Sequence, residues 1–442
     1  VFGAGKSGIG AADLLNAVGA CPVLYDGKAD LDKESVLHKI GGNYELPIYA
    51  GELPKEVKES LDLVVLSPGV PTDLPVVEKM KAAGIRIWGE VELAYENAKG
   101  DVLAITGTNG KTTTTSLLGE IMKCWKESVY VVGNIGNPYT QAAPKMTEES
   151  VTVAEISSFQ LETIDQFHPK VSAILNITPD HLNRHHTMAE YIRVKELITK
   201  NQTSEDTCVL NYEDPILRAF GENLQIRVLF FSSERKLKQG LYLEDETIWY
   251  ADESQKLAIC KTQDLNIVGK HNYENVMAAA GMALSYGVPL EKIQEAVKAF
   301  QAVEHRIEFV TEKSGVVYYN DSKGTNPDAA IKGIQAMSRP TLLIGGGYDK
   351  GSDYTEWIQS FDGKVKYLVL LGVTKEKIAE TARKCGFDNI IMTESLEEAV
   401  KVCAENAESG DAVLLSPACA SWDMFPSYEV RGRRFKELVR NL

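Results

Sequence analysis

A lysine and a run of threonines directly follow a glycine turn in the first half of the chain. Residues 102–105 are apolar and predict a buried strand, residues 111–122 predict a helix, and the turn at 106–113 is Thr-Gly-Thr-Asn-Gly-Lys-Thr-Thr. Backbone N–H groups of such a turn and the positive end of the helix attract phosphate, the Lys111 ammonium adds a point charge, and the Thr112 hydroxyl suits Mg²⁺. The pattern predicts a nucleoside triphosphate site. The residues expected to contact the nucleotide are Gly107, Thr108, Asn109, Gly110, Lys111, Thr112 and Thr113.

This turn is a variant of the generic P-loop. The generic motif would have its first glycine at position 105, but that position holds isoleucine, and the earlier glycine is Gly107. The alternative is a chance glycine turn before a helix. The strand before the turn and the helix after it favour the phosphate site.

A carboxylate and an imidazole follow two further predicted strands. Glu155 ends the strand 151–155, and His181 comes shortly after the strand 173–177. Since the carboxyl ends of parallel strands meet at one edge of a sheet, Thr112, Glu155 and His181 could form a magnesium or manganese site. The alternatives are a helix-capping carboxylate and an ordinary loop histidine. By residue type alone, Lys195 is a solvated lysine of a helix predicted over 187–200.

The first residues carry a second glycine pattern, Gly3-x-Gly5-x-x-Gly8, followed by a helix and then by a strand that ends at Asp26. This is the Rossmann-type fingerprint, in which the glycines admit a diphosphate and the acid binds a ribose hydroxyl. A tight turn at 67–71 follows another strand. Alone, the fingerprint suggests NAD, but it does not decide which nucleotide binds.

The last third alternates strands and helices, and polar loops follow the strands. The loops are Asn-Asp-Ser-Lys-Gly-Thr-Asn at 320–326, Gly-Gly-Gly-Tyr-Asp-Lys at 345–350 and Ser-Pro-Ala-Cys-Ala-Ser at 416–421, which indicates a second Rossmann-like sheet. Upstream, Asn272 and Asn275 lie on one face of a predicted helix, either as a capping cluster or as amides that contact a base or phosphates. The short strands predicted between 207 and 265 suggest a smaller β region.

Length and composition set the limits. A chain of 442 residues suggests about three domains. We expect an α/β protein with an N-terminal Rossmann-like domain at 1–89, a central P-loop ATPase-type domain at 90–302 and a C-terminal Rossmann-like domain at 303–442. A net charge of −15 argues against a nucleic-acid groove. Seven scattered cysteines without a Cys-x-x-Cys pair fit reduced thiols better than disulfides or zinc.

No apolar run approaches the length of about 20 residues that a membrane span needs, so we expect no membrane insertion. We expect a cytoplasmic monomer. Since residues 1–3 look like the end of a strand, we also expect the natural chain to begin upstream.

Taken together, these motifs resemble the Mur ligase family, the ATP-dependent amide-forming enzymes of peptidoglycan synthesis. The resemblance extends over all three predicted domains. Its motifs are the turn 106–113, Gly-Asn-Ile-Gly at 133–136, the Glu155 segment, Asp180-His181, His271-Asn272-Tyr-x-Asn275, His305-Arg306 and the loop 320–326. Ser-Ser-Phe-Gln-Leu-Glu at 157–162 and the loops 321–326 and 415–421 most resemble the branch that adds D-glutamate to UDP-N-acetylmuramoyl-L-alanine. The Asp-Asn-Pro-Arg motif of the diaminopimelate- or lysine-adding branch is absent.

The resemblance implies roles that spacing alone does not give. It implies two Mg²⁺ ions bound by Thr112, Glu155 and His181, and it implies a carbamylated lysine at Lys195 that helps to place the second ion. The residues implied near the UDP part of the substrate are Lys6, Ser7, Asp26, Gly69 and Asn134. Those implied near the ATP, besides the turn, are Asn272, Asn275, Arg306 and Asp321. Those implied around D-glutamate and the reacting centre are Lys323, Thr325, Lys350, Ser421 and Tyr428.

Other classes of protein stay open on the sequence. An NAD-dependent oxidoreductase would explain Gly3, Gly5, Gly8 and Asp26, but not the phosphate turn. A P-loop switch protein would be expected to carry the guanine-binding Asn-Lys-x-Asp, which is absent. Folylpolyglutamate synthases share the form of the P-loop but do not need a UDP-type first domain. The choice of D- over L-glutamate rests on the resemblance.

Overall fold

The computed structural model describes residues 1–41, 44–134, 138–267, 269–301 and 303–442, and it describes only the backbone of Asn183. The described chain forms two compact units. The first comprises Val1–Asp264 with Glu274–Lys298, and the second comprises Leu265–Tyr273 with Ala299–Leu442. Both are built from mostly parallel strands that alternate with helices, so the predicted α/β class is confirmed. Ala302, at the predicted second domain boundary, lies outside the described residues.

The N-terminal sheet is organised around Phe2. This residue forms parallel bridges to Tyr25 on one side and to Leu66 on the other. The strands are β1 (Leu24–Asp26), β2 (Ile48–Ala50), β3 (Leu63–Leu66) and β4 (Arg86–Gly89). The parallel order is therefore β2, β1, Phe2, β3, β4, which is the Rossmann order and confirms that prediction. The helices of this region are α1 (Lys6–Ala17), α2 (Lys33–Leu37), α3 (Lys55–Glu59), α4 (Pro75–Ala82) and α5 (Glu90–Asn97).

A nine-stranded sheet forms the rest of the first unit, as far as the chain is described. Its strands are β5 (Asp101–Thr106), β6 (Val129–Gly133), β7 (Val151–Glu155), β8 (Val171–Ile174), β9 (Thr207–Asn211), β10 (Arg227–Ser232), β11 (Gly240–Glu244), β12 (Thr247–Ala251) and β13 (Lys256–Lys261). The order is β13, β12, β11, β10, β9, β8, β5, β7, β6. The short strands after residue 207 therefore extend the central sheet, so the smaller β region predicted for this part of the chain is continuous with that sheet. Strand β9 pairs in parallel with β8, and this pairing joins the strands after residue 207 to the rest of the sheet.

The helices that cover this sheet are α6 (Lys111–Lys123), α7 (Tyr139–Ala142), α8 (Ser158–Leu161), α9 (Leu182–His185), α10 (Met188–Glu196), α11 (Pro215–Asn223), α12 (Lys270–Tyr286) and α13 (Leu290–Ala299). Residues 102–106 of β5 are all buried. A strand covered on both faces needs a continuous apolar run, which is what residues 102–105 supply.

Two predicted elements differ in their bounds. Strand β8 ends at Ile174, three residues before the predicted end, because the N–H of Ile177 donates to Asp214 Oδ2 at 2.8 Å and not to a neighbouring strand. The helix predicted over 187–200 is α10 followed by a 3-10 turn at Leu197–Thr199.

The second unit contains a six-stranded sheet in the described residues. Its strands are β14 (Glu308–Lys313), β15 (Val316–Asn320), β16 (Thr341–Gly345), β17 (Val365–Leu370), β18 (Ile390–Met392) and β19 (Ala412–Leu415), and its helices are α14 (Pro327–Gln335), α15 (Thr355–Gln359), α16 (Lys375–Lys384), α17 (Leu396–Asn406) and α18 (Tyr428–Arg440). The order is β14, β15, β19, β16, β17, β18, and β14 is antiparallel. Strands β15, β19 and β16 are neighbours, so the three polar loops that follow them lie at one edge of the sheet. Within the described ranges, no helix is long and apolar enough to cross a membrane.

Candidate active site

The glycine turn between β5 and α6 is held in place by the segment after β8. The N–H of Asn109 donates to Asn176 Oδ1 at 2.8 Å, and Asn176 Nδ2 donates to the Asn109 carbonyl at 3.0 Å. Gly110 caps α6 in the left-handed region at φ 88°. Gly107 has φ 144°, and a Cβ there would lie 3.1 Å from Leu175. These positions favour glycine, and the turn is fixed before any ligand binds. Asn176 was not predicted, since its partner lies 67 residues away.

Two lysines share one carbonyl oxygen at this turn. Lys111 Nζ donates to the carbonyls of Gly107 and Thr108, both at 2.9 Å, and Lys195 Nζ donates to the Gly107 carbonyl at 2.8 Å. Lys195 is 2% exposed and lies over the Tyr191 ring at 4.8 Å, so it is not a solvated helix lysine. Burial and the charge of Lys111 hold its pKa well below the usual value. Two amines are therefore bonded to the carbonyl oxygens of this turn.

Glu155 ends β7 next to this turn. It is paired with Ile105 in the strand register and is 1% exposed. Its Oε1 accepts from Asn134 Nδ2 at 3.0 Å, but Oε2 is buried without a hydrogen-bond partner among the described residues. A buried carboxylate oxygen without a partner is costly unless a ligand completes it. Asn134, which the resemblance placed near UDP, therefore contacts Glu155. Ile135 and Gly136 of the same motif lie outside the described residues.

His181 lies on the loop that follows β8. It adopts the left-handed region at φ 53°, and its side chain is 44% exposed. Its ring nitrogen Nε2 lies 3.6 Å from Asp180 Oδ2. Thr112, at the start of α6, is 6% exposed. The ends of β7, β5 and β8 are thus neighbours in the sheet, as the sequence predicted for Thr112, Glu155 and His181.

The donor set around the turn fits Mg²⁺ by its chemistry. A hydroxyl, a buried carboxylate oxygen without a partner and an imidazole are oxygen and nitrogen donors of the expected kind, with the histidine as the unusual member. An ammonium at Lys195 does not fit, because a cation would repel the metal. A carbamate at Lys195 would turn it into an oxygen donor.

A second group of potential metal ligands lies in the other unit. Among the described residues, ligand atoms of Glu304, His305 and Glu308 come within 4.8 Å of one another. Lys436 Nζ already donates to Glu304 at 2.5 Å and to Glu308 at 2.8 Å. The lysine supplies the positive charge there, so this group is better explained as an ion-pair network.

The Rossmann-type loop of the first unit is ordered by Asp26. Its Oδ2 accepts from the N–H of Ala4 at 3.0 Å and its Oδ1 from the N–H of Lys28 at 3.0 Å. The carboxylate therefore holds the glycine loop as well as being available to a ribose. Lys6 and Gly69 are exposed, and Ser7 is half-buried.

The two asparagines of the predicted pair lie on α12, as expected. Both are 6% exposed. Asn275 Oδ1 accepts from the Thr114 hydroxyl at 3.3 Å, which links it to the helix behind the phosphate turn. The N–H of Asn272 donates to the Gly269 carbonyl at 2.9 Å.

In the second unit, Asp321 follows β15 and is 2% exposed. Its Oδ2 accepts from the Ser416 hydroxyl at 2.7 Å. Burial raises its pKa to about 6, although the nearby charge of Arg306 opposes this. The Arg306 Nε is itself buried and has no hydrogen-bond partner in the part of the chain that the structure describes. A carboxyl with a raised pKa and an incompletely satisfied guanidinium are typical of a binding site.

Ser421 is 2% exposed, and its buried hydroxyl has no hydrogen-bond partner within the described ranges. Lys350 is exposed and lies over the Trp422 ring at 5.7 Å, and Lys323 lies over the Tyr428 ring at 5.5 Å. Thr325 lies in the loop after β15, where its N–H donates to the Lys323 carbonyl at 2.9 Å. The unit thus places two cations and an unsatisfied hydroxyl on the loops of one sheet edge.

Arg431 was missed by the sequence analysis. It is 2% exposed, and its guanidinium donates to the Ser322 carbonyl at 2.8 Å and the Cys419 carbonyl at 3.2 Å. Burial lowers its pKa to about 10. It ties the loops after β15 and β19 together. Its spacing to Phe435 and Val439 on the buried face of α18 was the available signal.

Three family models match the chain. The Mur ligase MurD-like N-terminal domain matches residues 1–89, the Mur ligase middle domain matches residues 105–283, and the Mur ligase glutamate ligase domain matches residues 305–419.

Proteins named UDP-N-acetylmuramoylalanine–D-glutamate ligase are similar over the whole chain. The one from Lachnoclostridium phytofermentans is 59% identical over 442 residues, covering 100% of this chain and 97% of the relative. The one from Lachnospira eligens is 57% identical, covering 100% and 98%.

Solved structures share the fold at lower identity. A pseudomurein peptide ligase type C from Methanothermus fervidus superposes with a TM-score of 0.61 at 20% identity, covering 100% of this chain and 99% of the other. The MurF ligase from Thermotoga maritima in complex with ADP gives a TM-score of 0.59 at 18% identity, covering 87% and 96%. By the three matched models and the full-length identities, this chain belongs to the Mur ligase family.

Proposed function

We propose that this protein is an ATP-dependent ligase that joins D-glutamate to UDP-N-acetylmuramoyl-L-alanine in the synthesis of peptidoglycan precursors. The observation that carries the proposal is the phosphate turn, where Lys111 and the buried Lys195 share the Gly107 carbonyl at 2.9 and 2.8 Å. The two substrates are inferred from the relatives that are 59% and 57% identical over the whole chain.

The reaction needs an activated carboxylate. In water at neutral pH a carboxylate does not react with an amine, because its leaving group would be oxide or hydroxide. One oxygen of the alanyl carboxylate attacks the γ-phosphorus of ATP, the bond to the β-phosphate oxygen breaks, and ADP leaves. The product is an acyl phosphate. The amine of D-glutamate then attacks its carbonyl carbon, gives up a proton, and phosphate leaves from the tetrahedral intermediate.

The first step brings two anions together, so the site must supply positive charge. Lys111 is directed at the turn that would hold the β- and γ-phosphates, and the N–H groups at the start of α6 point the same way. Positioned donors of this kind contribute roughly 2–4 kcal/mol each to transition-state stabilisation. Thr112, Glu155, His181 and a carbamylated Lys195 would hold two Mg²⁺ ions, which neutralise phosphate charge when bound.

The surroundings of Lys195 support the proposed carbamylation. Its ammonium form is penalised by burial and by Lys111, so the neutral amine is favoured. The amine nitrogen can attack the carbon of CO₂ with its lone pair. The nitrogen then loses a proton, which gives the carbamate. The Lys111 ammonium would attract this carbamate anion, whereas it repels the ammonium form of Lys195.

The remaining roles concern substrate recognition. Asn272, Asn275, Arg306 and Asp321 are proposed to bind ATP, and Lys6, Ser7, Asp26, Gly69 and Asn134 are proposed to act near the UDP part. In the second unit, the unpartnered hydroxyl of Ser421 and the cation of Lys350 suit the carboxylates of D-glutamate. Thr325 and Tyr428 are proposed to line the same site, and Lys323 to act on the reacting centre. We propose domains at 1–89, 90–302 and 303–442.

The proposal is tested by phosphate release from ATP. The protein is supplied with UDP-N-acetylmuramoyl-L-alanine and, in turn, D-glutamate, L-glutamate, L-alanine or L-lysine. We expect release that depends on both the UDP substrate and D-glutamate, and we expect Lys111→Ala to abolish it without loss of fold. Equal release with every amino acid, or turnover by Lys111→Ala, would contradict the assignment.

A further inference from the structure

The short segment 157–162 connects several distant parts of the first unit. Ser157 caps α8 through a capping box with Gln160, and Gln160 Nε2 donates to Glu90 Oε1 at 2.7 Å. Glu90 is 5% exposed. The backbone of this segment is therefore fixed directly after Glu155, the last residue of β7.

Arg184 binds to this segment from the loop that carries His181. Its guanidinium donates to Glu162 Oε2 at 2.6 Å and to the Val70 carbonyl at 3.1 Å, and it lies over the Phe159 ring at 4.9 Å. The side chains of Arg184 and Glu162 are only 12% and 9% exposed. A charge-assisted bond in such a place is stronger and less screened than a surface ion pair.

Phe159 is in contact with both Arg184 and His181. Its ring packs edge-on against the His181 ring with centroids 4.9 Å apart, and it lies 5.6 Å from the His185 ring. His185 is 3% exposed and bonds to the Ser158 hydroxyl at 2.9 Å. The Arg184 guanidinium thus supports one face of Phe159 while His181 packs against its ring.

The His181 loop also has an unusual backbone. His181 and His186 have φ angles of 53° and 64°, in the left-handed region that residues with a Cβ disfavour. Such a conformation persists only where neighbouring contacts impose it. In this loop the contacts of Arg184, Phe159 and His185 contribute to it.

The other end of the network is a loop of the N-terminal sheet. Val70 belongs to the turn after β3, and Thr72 next to it donates to Glu162 Oε2 at 3.4 Å. His186 bonds to Asp73 Oδ2 at 3.1 Å. This turn lies at the carboxyl end of the strand, where ligands of open α/β sheets gather.

We propose that Arg184 is a positioning residue that sets the orientation of His181 through Phe159 and couples it to the turn at 67–73. This inference rests on the proposed function, in which His181 acts at the reacting centre. A purely structural role would stabilise the fold without affecting the His181 ring or the dependence on Mg²⁺.

The experiment compares Arg184→Ala, Arg184→Lys and Glu162→Gln with the wild type. For each variant, kcat, the KM of each substrate and the Mg²⁺ concentration at half-saturation are measured. We expect kcat to fall, and the half-saturating Mg²⁺ to rise, by roughly 10–100-fold, as for other residues behind metal ligands. The KM of ATP stays within a factor of about two, because the phosphate turn is unchanged. Arg184→Lys does not restore activity, since lysine lacks the planar fork.

Arg193→Ala is the matched control. Arg193 forms an ion pair with Glu190 at 2.6 Å, but its side chain is 58% exposed. The Arg193→Ala variant should retain wild-type kinetics. This result would show that the assay works and that the protein has the proposed activity.

The histidine ring signals in the NMR spectrum of labelled protein provide a readout that needs no turnover. We expect the His181 signal to shift in Arg184→Ala and in Phe159→Leu but not in Arg193→Ala. If Arg184→Ala does not fold, Phe159→Leu and Glu162→Gln decide. An unshifted His181 signal, or kcat within a factor of about two of the wild type in the folded variants, would overturn the inference.

Discussion

At the scale of single residues, the candidate site is marked by polar groups that the described chain leaves unsatisfied. Glu155 Oε2 and the Ser421 hydroxyl are buried without partners, and Lys195 is a buried amine whose hydrogen bond goes to a neutral carbonyl. Each such group lowers the stability of the fold, and evolution keeps such a group where it binds a ligand. Residue identity alone did not distinguish Lys195 from any other helix lysine. Its burial does.

Replacing Lys195 tests whether a carbamate is needed. We expect Lys195→Ala to lower kcat by roughly 10²-fold or more, because an oxygen donor at the reacting centre is lost. Short carboxylic acids such as acetate and propionate should restore part of the activity by filling the space. Phosphate release measured against acid concentration gives the result. Lys123→Ala, which removes an exposed partner of Glu120, is the control. Full activity of Lys195→Ala without any acid would exclude the carbamate.

Asp321 gives a prediction for the dependence of stability on pH. Its folded-state pKa of about 6 lies above the ordinary 3.8, so the folded protein binds more protons than the unfolded one between these values. The free energy of unfolding contributed by this group therefore falls as the pH rises from about 4 to about 6. We expect Asp321→Asn to remove this fall and to be more stable at pH 7, by at most about 3 kcal/mol.

Urea unfolding of Asp321→Asn followed by circular dichroism between pH 4 and 8 measures the effect. Asp388→Asn, at an exposed position of the same unit, is the control. If the free energy of unfolding depended on pH in the same way for Asp321→Asn and the wild type, ionisation of Asp321 would not destabilise the fold.

At the scale of elements, the parts that could be predicted are local. The strand, turn and helix around Lys111 were predicted because an apolar run, two glycines and a helical pattern follow one another directly. The contacts of Arg184 could not be predicted, since its partners Glu162 and Val70 lie 22 and 114 residues away. For the same reason the strands after 207 were not joined to the central sheet, because strand pairing is not encoded by spacing.

The phosphate turn can be tested with two matched glycines. Gly110 and Gly19 have φ angles of 88° and 85°, so alanine is strained at both positions. A Cβ at Gly19 has open space, whereas a Cβ at Gly110 meets the Asn275 amide and lies 3.2 Å from Leu175. We expect both variants to lose about 1–2 kcal/mol of stability. Only Gly110→Ala should also lose activity, by roughly 10²-fold, with a raised KM for ATP.

Thermal unfolding and initial rates at varied ATP measure these two effects. The two variants separate backbone strain from disruption of the turn. Equal activities would mean that the shape of the turn is not limiting.

At the scale of the whole molecule, the candidate site residues are divided between two units, each with its own sheet. The phosphate turn belongs to the first unit, and the loops after β15, β16 and β19 belong to the second. The Rossmann-like folds at both ends were predictable from strand–helix alternation. The roles of their loops were not, because glycine-rich turns of similar sequence serve different anions. If the loop after β16 recognises the amino acid, a change in that loop alters the amino-acid substrate alone.

Lys350 provides that test. It lies on the exposed loop after β16, where its cation can attract a carboxylate of D-glutamate. We expect Lys350→Ala to raise the KM of D-glutamate by roughly 10-fold or more, since one charge-assisted contact is worth about 1.5–3 kcal/mol. The KM of ATP should stay the same. Lys384→Ala removes an exposed lysine of the same unit that pairs with Glu380, and it should change neither constant. If Lys350→Ala raised both KM values equally, the lysine would act on the fold of the unit or on a common step, and the D-glutamate site would have to be sought elsewhere.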